Sequence, residues 1–90
     1  MKNFDVLTRD TISKKIKETN HVTFHEVDCY ADLSMDGLKR CVINNDELSV
    51  VDNEDNWFTL NVQSILEITF MDELTVILYD QNLLCKRRDV

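Results

Sequence analysis

Ninety residues suffice for one small domain with one core, and no stretch approaches the ~20 apolar residues of a membrane span. Apolar residues make up 43% of the chain, which excludes the disordered class. The net charge of −7 is unevenly spread: residues 1–17 carry +3, residues 86–90 carry +2, and residues 18–85 hold fourteen acids against only Lys39 and Arg40. Such a body repels nucleic acid and attracts basic protein surfaces.

The stretch FDVLTRDTISKKIKETN predicts a helix over about 5–19, with Leu7, Ile12 and Ile16 on one stripe and Phe4 a turn earlier. Thr8 or Asp10 is the expected cap, Lys14, Lys15 and Lys17 suit the dipole of the last turns, and Asn20 is the expected stop. After Asn20 the period changes. HVTFHEVDCYADL is rich in β-branched and aromatic residues, and its apolar phase switches between Phe24 and Val27, which predicts a bulge or bend. Asp36-Gly37 reads as a two-residue type I′ hairpin turn, because both central positions need positive φ. That register sets Ala31 opposite Val42 and Tyr30 opposite Ile43, with the next strand at 38–44.

NNDE at 44–47 is then a turn, LSVV at 48–51 a strand and DNEDN at 52–56 a loop. Strands follow at 57–62, 65–71 and 74–79, separated by a kink at Gln63-Ser64 and a turn at Asp72-Glu73. The tail 81–90 either adds a short strand or packs Leu83 and Leu84 on the end of the body. The expected fold is a single α+β domain over 1–90, an N-terminal helix and then five or six short antiparallel strands in a bent sheet or small open barrel. Both phases of the last strand are apolar, Ile77 and Tyr79 against Val76 and Leu78, more than one short helix covers, so a homo-oligomer is expected.

Chemistry is sparse. His21, His25 and Cys29 recur every four residues, but on a strand successive members lie roughly 13 Å apart, too far for one metal. Glu26 with Asp28 and Asp72 with Glu73 are acid pairs without a nucleophile or a phosphate-binding loop beside them, and nothing matches a calcium loop, a G-x-S-x-G or an H-E-x-x-H motif. No metal, cofactor or enzyme activity is therefore expected. KKIK at 14–17 and KRR at 86–88 are basic, yet Asp52, Glu54 and Asp55 stand just before the aromatic pair Trp57 and Phe58, so direct nucleic-acid binding is not expected. Cys29, Cys41 and Cys85 are odd in number and lack C-x-x-C spacing. They read as reduced thiols of a cytoplasmic protein, and the opening MKNFDVLTRD has no apolar signal core.

WFTLNVQSILEITFMDELTVILYD resembles the late strands of bacterial pleckstrin-homology-like domains, over about a quarter of the chain. The order of a helix followed by strands is similar to that of Sm-like barrels. Neither resemblance carries a functional residue across. In size, acidity and lack of catalytic motifs the chain also resembles phage-encoded inhibitors of bacterial defence, anti-CRISPR proteins among them, several of which act as nucleic-acid mimics. That resemblance implies a non-enzymatic inhibitor whose acids occupy the basic groove of a nucleic-acid-handling enzyme. The candidate contacts are Asp46, Glu47, Asp52, Glu54, Asp55, Glu67, Asp72 and Glu73. The alternative is a small structural adaptor that oligomerises and scaffolds a partner. Salt separates the two, because surface charges are screened within about 8 Å at physiological ionic strength.

Overall fold

The computed structural model describes residues 6–29 and 32–81, the side chains of Val6 and Leu7 excepted. The expected roles of Phe4, Leu7, Tyr30, Ala31, Leu83, Leu84, Cys85 and the basic tail fall outside that description. A helix, α1 (Val6–Thr19), precedes seven strands: β1 (His21–Glu26), β2 (Asp32–Asp36), β3 (Leu38–Asn44), β4 (Glu47–Asp52), β5 (Trp57–Asn61), β6 (Ile65–Phe70) and β7 (Thr75–Tyr79). A 3-10 turn, Val62–Ser64, links β5 to β6. The strands form two sheets, ordered β2-β1-β7-β6 and β3-β4-β5, so the fold is mixed α+β without a closed barrel.

Two expectations about the sheet are corrected. The strands number seven among the described residues, because HVTFHEVDCYADL breaks into two strands of a hairpin and is not one bulged strand. The phase switch after Phe24 marks the end of β1, where Glu26 is buried and Val27 is exposed. Nor is every pair antiparallel. β1 and β7 run parallel in the middle of the larger sheet, with Phe24 beside Ile77. Such a pair joins strands from opposite ends of the chain, which no local turn signal encodes.

Asp36-Gly37 is the third correction. It makes no hairpin: β2 pairs with β1 and β3 pairs with β4, so Gly37 is the corner between the two sheets. Its φ of 76° is the left-handed value that the dipeptide promised. The Gly37 amide donates to Asn20 O at 2.9 Å, and its carbonyl accepts from the Asn53 amide at 2.8 Å. A Cβ there would meet Asn53 Nδ2 at 2.9 Å. The two-residue hairpin lies instead at Asn45-Asp46, where Asn44 pairs with Glu47 and Asn45 takes φ 54°. Cys41 accordingly stands opposite Val50.

α1 starts at Val6, so Thr8 and Asp10 lie inside it and are not its cap. It stops where expected. Asn20 adopts φ 60°, its amide donates to Lys17 O at 3.1 Å, and its side-chain Oδ1 accepts from the Leu38 amide at 2.9 Å. One residue thus ends the helix and fixes the sheet corner. Ile12 and Ile16 pack into the core, chiefly beside β3.

The core lies between the sheets. Val22, Phe24, Met35, Ile65 and Ile77 face Leu38, Cys41, Leu48, Val50 and Leu60. Phe58 stacks 4.5 Å from the Phe24 ring and 6.1 Å from the Tyr79 ring, so β5 covers the end of the core where β1 and β7 finish. Complete burial of Phe24, Leu48 and Ile77 is worth about 1.5–3 kcal/mol each relative to exposure. The sheets therefore cover one another, and the helix is not the main lid. Val76 and Leu78, the second apolar phase of β7, form a narrow half-buried strip between Thr23 and His25 on one side and Glu67 and Thr69 on the other.

Candidate acidic interaction surface

The acids singled out in the sequence do not share one face. Asp46 and Glu47 stand at the β3–β4 hairpin, whereas Glu54 and Asp55 stand beyond the far end of β4, a strand of six residues and hence about 17 Å away. Asp55 is engaged by Lys39, whose Nζ donates at 2.6 Å. Glu67 points outward from β6, and Asp72 and Glu73 form the β6–β7 turn.

Asp52 is the clearest correction among them. It is buried at the end of β4, where its Oδ1 accepts the Glu54 and Asn56 amides at 2.9 Å each and its Oδ2 accepts Asn56 Nδ2 at 3.1 Å. Desolvation pushes its carboxyl up, but those hydrogen bonds outweigh it and hold the group below the usual carboxylate range. Its carboxylate is engaged in shaping the loop. A signal for this was present in the sequence. Asp52 is the first residue of DNEDN, the position from which a short carboxylate accepts the amide two residues on.

The fold gathers a different set of acids at the end where α1 stops and β1 begins. Glu18, Asp36 and Glu73 line a hollow of about 390 Å³ with Thr19, Asn20 and His21. Glu18 and Thr19 also border a second hollow of about 350 Å³, with Lys15, Phe70, Met71 and Asp72. Four chain segments meet there: the end of α1, the end of β2, the start of β1 and the β6–β7 turn. The last carbonyls of α1 point to the same end, and the helix dipole adds partial negative charge. Phe70 and Met71 are exposed beside the acids, and Lys15 Nζ sits 5.4 Å from the Phe70 ring centroid. Asp72 and Glu73 belonged to the expected set, whereas Glu18 and Asp36 were missed, because nothing local links residues 18, 36 and 73.

Two further clusters were legible only in part, as the spacing of His21 and His25 and as the pair Glu26 with Asp28. On the outward face of β1 and β2, His21 pairs with Asp36 at 3.4 Å, Thr23 with Ser34 at 3.0 Å and His25 with Asp32. These residues form a polar ladder across the hairpin. At the opposite end of the β1–β7 pair, carboxylate oxygens of Glu26, Asp28 and Asp80 lie within 4.8 Å of one another, with Glu26 and Asp80 buried. The Asp28 amide donates to Glu26 Oε1 and Oε2 at 3.2 and 3.3 Å. Nearby Tyr79 is pushed above its ordinary value, first by burial and then by the negative charges of Glu26 and Cys29.

No protein family, curated protein or solved structure matches the chain.

Proposed function

We propose that this domain is a non-enzymatic protein-binding module whose acidic end occupies a basic, nucleic-acid-binding groove on a partner enzyme. The observation that carries the reading is the meeting of Glu18, Asp36, Asp72 and Glu73 around two adjoining hollows at the negative end of α1. Acids held on three packed segments, the end of α1, the end of β2 and the β6–β7 turn, keep their spacing, as a row of phosphates does. Phe70 and Met71 add an exposed apolar contact that phosphates lack, a means of preferring one basic surface over others. The size, charge and absence of catalytic motifs that resemble phage-encoded inhibitors support the same reading.

The test is capture from a lysate of the native host on the immobilised domain at low salt, followed by a salt gradient. A basic nucleic-acid-binding enzyme should elute, its nucleic-acid binding should be competed by the free domain, and the Glu18→Gln/Asp72→Asn/Glu73→Gln variant should release it at lower salt. Release of the same partner at unchanged salt from that variant excludes this end as the contact.

A further inference from the structure

A second surface lies along the free edge of β2. β2 pairs only with β1 among the described residues, so its other edge offers unpaired backbone groups. A hollow of about 430 Å³ runs beside it, lined by Leu33, Ser34 and Met35 on one side and by Asp52, Asp55, Asn56 and Trp57 on the other. Successive strand residues point to opposite faces. Three consecutive residues of β2 therefore border one hollow only where it opens onto the edge of the strand and not onto a face. The opposite wall is the β4–β5 turn and the first residue of β5. Trp57 is 72% exposed there, and Leu33 is 44% exposed. A tryptophan so far out of the core does little for folding, and aromatic residues of this kind anchor protein interfaces. Asp55 lies on that wall, and β2 itself carries Asp32 at the end away from the acidic end.

The geometry points to β-strand addition: the β2 edge takes an extended segment of a partner protein, with an apolar side chain seated between Leu33 and Trp57 and lysine or arginine at flanking positions. The edge supplies main-chain hydrogen bonds, and the hollow reads alternate side chains. The acids on the rim favour a basic segment over an acidic one. An exposed strand edge is otherwise an aggregation hazard, which an occupant of this kind removes. This surface is separate from the acidic end, so either can fail without the other.

The probe is a displayed library of random twelve-residue peptides, selected on the whole chain. The expected winners alternate, with one aliphatic or aromatic residue and basic residues on either side. Trp57 is the sole tryptophan, so its emission should shift as a selected peptide is titrated in. Trp57→Ala should weaken binding at least about tenfold, and Glu18→Gln/Asp72→Asn/Glu73→Gln should not change it. N-methylation of alternate peptide amides should abolish binding in one phase and spare it in the other, a readout that needs no change to the protein. The inference is overturned by a library from which nothing enriches, by selected peptides indifferent to Trp57→Ala, or by tolerance of N-methylation in both phases. A mass twice 10.6 kDa by light scattering that Trp57→Ala returns to 10.6 kDa also overturns it, because the occupant of the edge is then a second copy.

Discussion

The two ends of the parallel β1–β7 pair both gather carboxylates, and they treat them in opposite ways. Where the strands begin, Glu18, Asp36 and Glu73 are exposed around an open hollow. Where the strands finish, Glu26 and Asp80 are buried, with Asp28 close by. An exposed acid keeps its hydration, costs the fold little and is free to meet a partner's cation. A buried acid must replace its water with protein donors, and close neighbours of like charge add to the cost. The same residue type is thus open to a partner at one end and withdrawn from water at the other. Placement decides, and composition does not.

The thiols give the largest contrast of this kind. Burial pushes the Cys41 thiol up to about 12 from an ordinary 9.0, a shift only partly offset by Lys17, whereas Cys29 is exposed. The thiolate that alkylation requires is therefore far scarcer at Cys41 at neutral pH. Peptide mapping after iodoacetamide treatment at pH 8 should find Cys29 alkylated and Cys41 untouched until the chain unfolds. Because the folded value is raised, Cys41 contributes stability in full below about pH 9, and that contribution is lost as pH climbs toward 12.

Asp52 sharpens the comparison from the other side, as a buried acid whose hydrogen bonds are satisfied. Asp52→Ala should lower the melting temperature more than any single change among the exposed acids, since it strips three hydrogen bonds from one turn. Its carboxyl is depressed in the fold, so its contribution is present above the unfolded value near 3.8 and is lost as pH falls through the lower folded value. Thermal melts of wild type and Asp52→Asn between pH 2 and 6 should therefore converge at the acid end. A constant gap across that range contradicts this account of Asp52.

Glu26→Gln tests the cost of burial directly. Removing one charge from a trio within 4.8 Å should raise stability by about 1 kcal/mol in chemical denaturation at pH 7, because Gln keeps an acceptor for the Asp28 amide. A fall in stability means that the trio is compensated and not strained. The smallest effect is expected at the other end, where Glu18→Gln, Asp72→Asn and Glu73→Gln should each leave the melting temperature within error of wild type.

Local pattern made much of the fold legible. The stop at Asn20, the strands near 57–62, 65–71 and 74–79 and the kink at Gln63-Ser64 follow from period and from residues with one strong backbone preference. Asp36-Gly37 shows where that logic ends. The dipeptide asked for positive φ and has it, but φ alone does not say whether the chain reverses into its own sheet or crosses to another. Hydrogen bonds to Asn20 and Asn53, distant in sequence, decide for the corner. The candidate surface escaped reading for the same reason. The run Asp52, Glu54 and Asp55 drew attention because its members are adjacent, yet one is buried and one is held by Lys39. The acids that meet are far apart in the chain, and only the fold brings them to one hollow.

We propose the exposed carboxylate end as the contact surface for a basic partner. Amide hydrogen exchange on the complex with the salt-eluted partner tests it most directly. The account predicts new protection at residues 18–20, 36 and 70–74, lost in parallel with binding as salt rises. Protection confined to the Asn45-Asp46 hairpin or to the β5 edge, or a complex indifferent to salt, contradicts it.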